Sequence, residues 1–154
     1  MEYGTIEREI HVEASPEVVF EVISSPVHIK EWWTAETAFE PTAGATGELV
    51  FGERGTPGAN HVQLTVVEVQ PPHLFSFRWV HSPGKIATAT NSLLVTFELT
   101  PEGAGTAVRM TEVGFREMGW EVAVLEEAYR DHCTGWDIFL PRIGEYVNQM
   151  VASQ

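Results

Sequence analysis

The sequence has 154 residues, of which 44% are hydrophobic and 20% are charged, values typical of one soluble globular domain with a substantial core. Its 22 acidic and 9 basic residues give a formal net charge of −13. This balance argues against a nucleic-acid partner, because nucleic-acid binders cluster lysine and arginine, and against docking on an anionic membrane. It is compatible with a basic protein partner.

The cysteine count and the first residues indicate the compartment. Cys133 is the only cysteine, so an intrachain disulfide is excluded and a reducing compartment fits. The opening residues MEYGTIEREIHV lack the basic start and apolar core of a signal peptide. The longest uninterrupted apolar run, Val122–Leu125, is too short to cross a bilayer. We therefore expect one cytoplasmic domain covering residues 1–154, with no membrane partner.

The first part of the chain predicts a strand followed by two short helices. Apolar residues alternate in Thr5–Glu13, although Arg8 interrupts the row. Ser15 is a good helix N-cap and the proline after it suits the first helical position. This first helix ends at Ser24, and a second helix is expected over Val27–Trp33.

From Glu36 onward the apolar pattern changes to alternation with frequent glycine and proline, which is typical of strands joined by turns. Consecutive strands with short connections usually pair as an antiparallel meander. The predicted strands are Ala38–Glu40, Glu48–Glu53, Val62–Val69, Leu74–His81, Leu93–Thr100 and Thr106–Val113.

The end of the chain predicts a long amphipathic helix that covers the sheet. A helical region starts within Trp120–Glu127, and Tyr129–Val151 carries one apolar stripe at three- and four-residue steps. A sheet with one apolar face needs such a cover. Pro141 lies inside the stripe, removes one backbone donor, and predicts a kink near Asp137.

These elements predict an α+β fold. A curved antiparallel sheet of about six or seven strands wraps around the long C-terminal helix, and two short helices follow the first strand. If the short helices hold one end open, a cavity forms between the sheet and the helix. Neither an internal repeat nor a linker is visible in the sequence.

An ordered set of segments carries a family resemblance. They are Trp32-Trp33, GELVF at 47–51, VVEVQPP at 66–72, LVTFELTP at 94–101, MTEVGF at 110–115 and Gly135-Trp136. The chain resembles the domain family named for homologues of the activator of the 90-kDa heat-shock chaperone ATPase. That family lies within the START-like, polyketide-cyclase-related (SRPBCC) superfamily with the helix-grip fold.

The resemblance implies a fold and a cavity more than a reaction. The superfamily includes lipid carriers, plant hormone binders, cyclases and stress-linked proteins, and a shared fold does not give a function. The eukaryotic chaperone activators carry an additional amino-terminal domain, whereas this chain reads as a single domain. Chaperone binding therefore does not follow from the resemblance.

Two residues are candidates for acid–base chemistry. Glu112 lies two residues after Met110 on the last strand, so both side chains are expected on the same face. Glu112 is therefore expected to face the cavity and to be partly desolvated. It then acts as a general acid or base or accepts a hydrogen bond from a ligand; alternatively it is a strand-end residue that reaches solvent or an arginine. His132 lies one turn before Trp136 on a similar face, and a meeting with Tyr129 and Glu112 would suit proton transfer. Alternatively, it is a helix-start histidine bonded to backbone or water.

Aromatic residues exceed what a small core requires and indicate an apolar or aromatic ligand. His81 follows Phe77 and Trp79 at two-residue steps, so it is expected on the same inward face and is a further candidate site residue. The six histidines lack a paired spacing such as HxxxH, so neither a metal nor another cofactor is expected. The predicted ligand-binding residues are Trp33, Phe51, Phe77, Trp79, Met110, Glu112, Phe115, His132, Trp136, Leu140 and Ile143.

Three functions remain open from the sequence. The favoured one is non-catalytic binding of a hydrophobic or aromatic small molecule. The first alternative is a chaperone-linked or stress-response module that binds a protein partner through its acidic surface. The second alternative is a cyclase- or hydratase-like enzyme with Glu112 or His132 as the acid or base. The chain is expected to be a monomer or a homodimer.

Overall fold

A computed structural model describes residues 4–33, 35–51, 56–57, 59–80, 87–88 and 91–152. The strands are β1 (Thr5–Val12), β2 (Ala35–Ala38), β3 (Thr46–Phe51), β4 (Asn60–Gln70), β5 (Leu74–Val80), β6 (Leu93–Glu102) and β7 (Gly105–Val113). The helices are α1 (Pro16–Ser24), α2 (Pro26–Trp33) and α3 (Val122–Ala152), with a short 3-10 helix at Arg116–Met118.

The seven strands form one antiparallel sheet in the order β1-β7-β6-β5-β4-β3-β2. Strands β2 to β7 follow one another as a meander, and β7 returns beside β1. Because β1 and β2 lie at opposite edges, α1 and α2 carry the chain from one edge of the sheet to the other. Together with α3 this is the predicted α+β helix-grip fold, which is confirmed.

The two short helices form one packed unit. Ser15 caps α1, since its hydroxyl accepts a hydrogen bond from the backbone N–H of Val18, and Pro16 occupies the first helical turn. The buried indole of Trp32 in α2 donates to the carbonyl of Val22 in α1 at 3.0 Å. This bond satisfies a buried donor and fixes the angle between the helices. It thereby positions the neighbouring Trp33, which is also buried.

Helix α3 lies against the sheet and joins the two predicted helical segments into one helix of 31 residues. Its inward face buries Trp136, Leu140, Ile143 and Val147 in the core. The helix continues on both sides of Pro141, so this residue does not end it; the bend near Asp137 stays a prediction.

Arg8, which interrupts the apolar row of β1, has a partner on α3. Its Nε donates to Asp137 Oδ1 at 2.7 Å. This hydrogen bond raises the pKa of Arg8. A half-exposed ion pair of this kind contributes little stability, about 0 to 1 kcal/mol, but it sets where β1 meets the helix.

Several strand boundaries differ from the predictions because cross-strand pairing, not local pattern, sets them. The edge strand β2 runs from Ala35 to Ala38 and shares only Ala38 with the predicted Ala38–Glu40, since it pairs only where β3 faces it. Strand β3 starts at Thr46 instead of Glu48; residues 52 and 53 lie outside the described residues. Strand β6 continues through Pro101, which pairs with Thr106 before a two-residue turn.

In the part of the chain that the structure describes, none of the helices combines the length and the apolar character needed to cross a membrane.

Candidate functional site

A cavity of about 720 Å³ lies between one end of the sheet, the end of α2 and the first half of α3. In an antiparallel meander, the ends of β3 and β5 lie beside the starts of β4 and β6, so these four strands supply one wall. The described residues that line it are Trp33, Phe51, Asn60, Trp79, Val80, Asn91, Leu93, Met118, Trp120, Ala128, Asp131, His132, Gly135, Trp136 and Phe139.

Aromatic rings dominate the walls, and four of the chain's five tryptophans contribute. The ring centroid of Trp33 lies 5.1 Å from that of Trp136 and 5.3 Å from that of Trp79. The centroids of Trp79 and Trp136 are 5.9 Å apart. Three elements, α2, β5 and α3, are therefore joined by one tryptophan cluster, and its rings have the separations of favourable aromatic pairs.

The carboxylate of Glu112 lies behind this cluster and is fully buried. The indole N–H of Trp79 donates to Glu112 Oε2 at 2.8 Å, and the indole N–H of Trp136 donates to Oε1 at 2.9 Å. His132 Nδ1 lies 2.9 Å from both oxygens. Both carboxylate oxygens thus have partners, which a buried charge requires.

His132 is the cavity-lining residue with the most versatile chemistry. With the carboxylate of Glu112 as acceptor, Nδ1–H donates, and in the neutral imidazole Nε2 is then the acceptor. The imidazole packs edge-on against Trp79 and Phe115, each with centroids 5.4 Å away. Only 14% of the side chain is exposed. The tautomer and the ring orientation are therefore both fixed by neighbours, as they are in sites that use histidine as a base.

The structure brings some of the predicted site residues together at the cavity and places others deeper. Trp33, Phe51, Trp79, His132 and Trp136 line the cavity. The remaining members of the predicted set are buried but do not line it; they are Phe77, Met110, Glu112, Phe115, Leu140 and Ile143. They support the walls from behind.

Glu112 faces inward, as the strand alternation predicted, and is wholly inaccessible to solvent. The alternative in which it reaches solvent or an arginine is therefore wrong. The hydroxyl of Tyr129 donates to the carbonyl of Thr5 at 2.9 Å, which ties α3 to β1. His132 bonds to Glu112 and not only to backbone or water, contrary to the alternative considered for it. His81 lies outside the described residues.

Sequence reasoning missed most of the rim. Ala128, Asp131, Gly135 and Phe139 lie within one turn of His132 or Trp136 on α3, so helical periodicity was a usable signal for them. The strand residues Asn60, Val80 and Leu93 required the sheet register, since they come from three separate strands. Met118 and Trp120 come from the segment before α3, which has no periodic pattern.

The exposed members of the lining set mark the opening of the cavity. Asn60 and Asp131 are exposed, whereas Trp33, Trp79 and Trp136 are buried. An apolar molecule that enters would therefore meet polar groups at the mouth and aromatic rings inside. Among the described residues, no group of three or more histidine, cysteine, aspartate or glutamate side chains is arranged to hold a metal ion.

Comparison with solved structures places the fold among known ones. A protein from Mesorhizobium loti is 23% identical with a TM-score of 0.74, and the match covers 94% of this chain and 97% of that chain. DynU16, a putative protein in the dynemicin biosynthetic locus, is 19% identical with a TM-score of 0.71; 94% of this chain and 47% of that chain are covered. The Aha1 dimer from Colwellia psychrerythraea is 22% identical with a TM-score of 0.64, and the match covers 92% of this chain and 93% of that chain.

At these identities the structural matches show the fold alone. No match is found among curated proteins. The model of the family described as Activator of Hsp90 ATPase homolog 1-like protein matches residues 13–148. This match spans most of the chain, from the end of β1 to the last turns of α3. The chain therefore belongs to the Activator of Hsp90 ATPase homolog 1-like family.

Proposed function

We propose that this protein binds a hydrophobic or aromatic small molecule in the cavity between the sheet and α3. The observation that carries the proposal is the cavity itself, about 720 Å³ in volume and walled by tryptophan and phenylalanine. Small-molecule sites are typically concave, about 300 to 1,000 Å³, and lined by apolar and aromatic groups with a few polar ones. The site matches each of these properties.

Pre-organisation of the walls supports the same function. The Glu112 carboxylate holds the indoles of Trp79 and Trp136 in place through two hydrogen bonds. Rings that are already fixed lose little conformational freedom when a ligand binds, so more of the contact energy contributes to affinity. The superfamily that the sequence resembles includes ligand binders and cyclases, which is consistent with this function, and DynU16 is described as a putative protein in the dynemicin biosynthetic locus.

The proposal is tested with the neutral fluorescent probe N-phenyl-1-naphthylamine and two matched variants of α3. Gly135 lines the cavity, and a Cβ built on it meets no heavy atom within 4 Å. Gly135→Leu should therefore place a side chain in the cavity with no clash at its Cβ and weaken probe binding by about tenfold or more. Binding is measured by fluorescence titration.

Gly144→Leu is the control for the helix itself. Gly144 also lies inside α3 with no heavy atom within 4 Å of a built Cβ, but it does not line the cavity. This variant should bind the probe like the original protein. Equal affinity of the two leucine variants, or no saturable binding at all, would contradict the proposal. Native mass spectrometry of the purified protein, with and without Gly135→Leu, checks whether a cellular ligand occupies the same space.

The contact between His132 and Glu112 favours a second candidate, an acid–base enzyme of the cyclase or hydratase kind. In such an enzyme His132 would take a proton from a substrate within hydrogen-bond reach of Nε2. The carboxylate of Glu112, 2.9 Å from Nδ1, would hold the ring in position. If a co-purified molecule is converted by the protein in a chromatographic assay, His132→Ala should slow the conversion by about 10²-fold or more. Unchanged conversion would exclude this role.

A further inference from the structure

We infer that the cavity selects organic cations: the ligand carries an ammonium or similar positive group on an apolar body. This inference rests on the proposed binding function and adds the charge of the ligand. It combines the aromatic walls, a buried carboxylate behind them and an acidic residue at the mouth.

The first support is the chemistry of the walls. The face of an indole ring is electron-rich and attracts a cation within about 6 Å of its centre, and tryptophan is the strongest of the aromatic side chains in this respect. Trp33, Trp79 and Trp136 lie with centroids 5.1 to 5.9 Å apart and all border the cavity. Recognition of ammonium groups by several aromatic rings uses the same physical attraction.

The second support is the carboxylate of Glu112. Two of these indoles donate their N–H groups to it at 2.8 and 2.9 Å. A hydrogen bond to an anion polarises the donor and pushes electron density into the ring, so the negative face of each indole is strengthened. The carboxylate is fully buried, so solvent screens its field weakly.

The third support is the charge of the lining. Asp131 is exposed at the mouth, and the described residues that line the cavity include no lysine or arginine. The whole chain carries a formal net charge of −13. A surface potential of this sign raises the local concentration of cations and lowers that of anions.

Phe139 is left out of the proposed cation contact. The Cζ atom of Arg142 lies 5.0 Å from its ring centroid, so this ring already interacts with a cation of the chain itself. The proposed contact therefore falls on the tryptophan side of the cavity, between the end of β5 and the first half of α3.

The test uses displacement of bound N-phenyl-1-naphthylamine by two probes of similar size and opposite charge, benzyltrimethylammonium and phenylmethanesulfonate. The titrations are run at one fixed pH of about 8 for both probes. The cation should displace the dye with an inhibition constant about tenfold or more below that of the anion. An anion that competes as well as the cation overturns the inference.

A pair of charge-removing variants locates the effect. Asp131→Asn should weaken the binding of the cation by about twofold to fivefold, a larger change than it causes in the affinity of the neutral dye. Glu145→Gln removes the same charge from an exposed position of α3 that does not line the cavity. It should change neither the affinity for the cation nor the affinity for the dye. If the two variants lowered the affinity for the cation equally, the charge preference would come from the whole surface. That result would overturn the assignment to the cavity.

The outcomes separate this inference from the proposed function. If the dye binds and is blocked by Gly135→Leu, but the cation shows no preference over the anion, the binding function stands and the charge assignment fails. If Gly135→Leu does not affect the dye, the cavity is not its site and both fail.

Discussion

At the scale of single residues, Glu112 connects elements of the site although it does not line the cavity. It is the last but one residue of β7, beside Ile6 of β1 and Val95 of β6 in the sheet register. Its oxygens bind one group from β5 and two from α3. A carboxylate in such a position costs free energy unless every acceptor is used, and here both oxygens are.

We predict that Glu112→Gln destabilises the fold by about 1 to 3 kcal/mol. Glutamine has the same shape but only one acceptor oxygen, and its amide nitrogen would face the N–H of an indole or of the imidazole. The two indole N–H groups and the imidazole N–H would then compete for one acceptor oxygen. The free energy of unfolding is measured by urea titration monitored by tryptophan fluorescence.

Glu98→Gln is the matched control, because Glu98 is an exposed strand residue in β6. It should change the free energy of unfolding by no more than about 0.5 kcal/mol. If Glu112→Gln were equally mild, the carboxylate would not be the organising group described above.

His11 gives a pH-dependent prediction at the same scale. Its ring nitrogens lie 2.7 Å from Glu102 and 2.8 Å from Glu13. The hydrogen bond with Glu102, and then that with Glu13, raises the pKa of His11. A raised pKa in the folded state means that the contribution to stability is fully present below the unfolded value of about 6.5 and is lost as the pH rises through the folded value.

The variant His11→Gln should therefore have a lower Tm than the original protein at about pH 6, and the gap should narrow towards pH 9. The difference in Tm is measured by thermal unfolding of both proteins from about pH 6 to about pH 9. In a background that carries Glu102→Gln, the pH dependence of the gap should shrink, since the main partner is gone. A gap that is independent of pH would show that the carboxylates do not hold the protonated imidazole.

At the scale of elements, the local sequence pattern predicted which segments are helices or strands and their order, but not where each of them begins and ends. The N-cap at Ser15, the alternation in β6 and the apolar stripe of α3 each follow from nearest neighbours in the sequence. The extent of the edge strand β2 does not, because its pairing with β3 decides where it starts and stops.

Gly47 in β3 shows how closely the edge elements approach. A Cβ at this position would overlap the carbonyl oxygen of Ala38 and the Cβ of Phe39. Backbone atoms cannot move aside easily, so Gly47→Ala should destabilise the protein by about 1 to 3 kcal/mol. Chemical denaturation measures the loss.

The comparison for Gly47 is Gly144→Ala in α3. Nothing lies within 4 Å of a Cβ built there, and alanine is the better helix former, so this variant should gain up to about 1 kcal/mol. A gain of stability in both variants would mean that the close approach at the sheet edge is relaxed in solution.

At the scale of the whole molecule, charge opposes compactness. The 22 acidic residues outnumber the 9 basic ones, so self-repulsion destabilises the folded state. We predict that Tm rises as sodium chloride increases from about 0.01 to 0.15 M, because the screening length falls from about 30 Å to about 8 Å. Differential scanning calorimetry checks this. A flat or falling Tm would show that salt bridges such as that between Arg8 and Asp137 outweigh the net repulsion.

The sequence by itself determined the fold class, the order of the elements, the family resemblance and the inward direction of Glu112. Each of these depends on short-range signals, namely periodicity, capping and turn residues, or on an ordered set of motifs. His132, Trp79 and Trp136 were also recognised as facing the interior, because alternation in a strand and the stripe of a helix give direction.

Only the tertiary structure decided which inward residues surround empty space and which fill the core. Phe77, Met110 and Leu140 have the same local pattern as Trp79 and Trp136, yet they pack behind the cavity. Periodicity gives the side of an element on which a residue lies, but not the distance between two elements. That distance depends on how the sheet curves and where α2 and α3 meet it, so the volume of the cavity and the contact of Glu112 with both indoles follow from the packing of the whole chain.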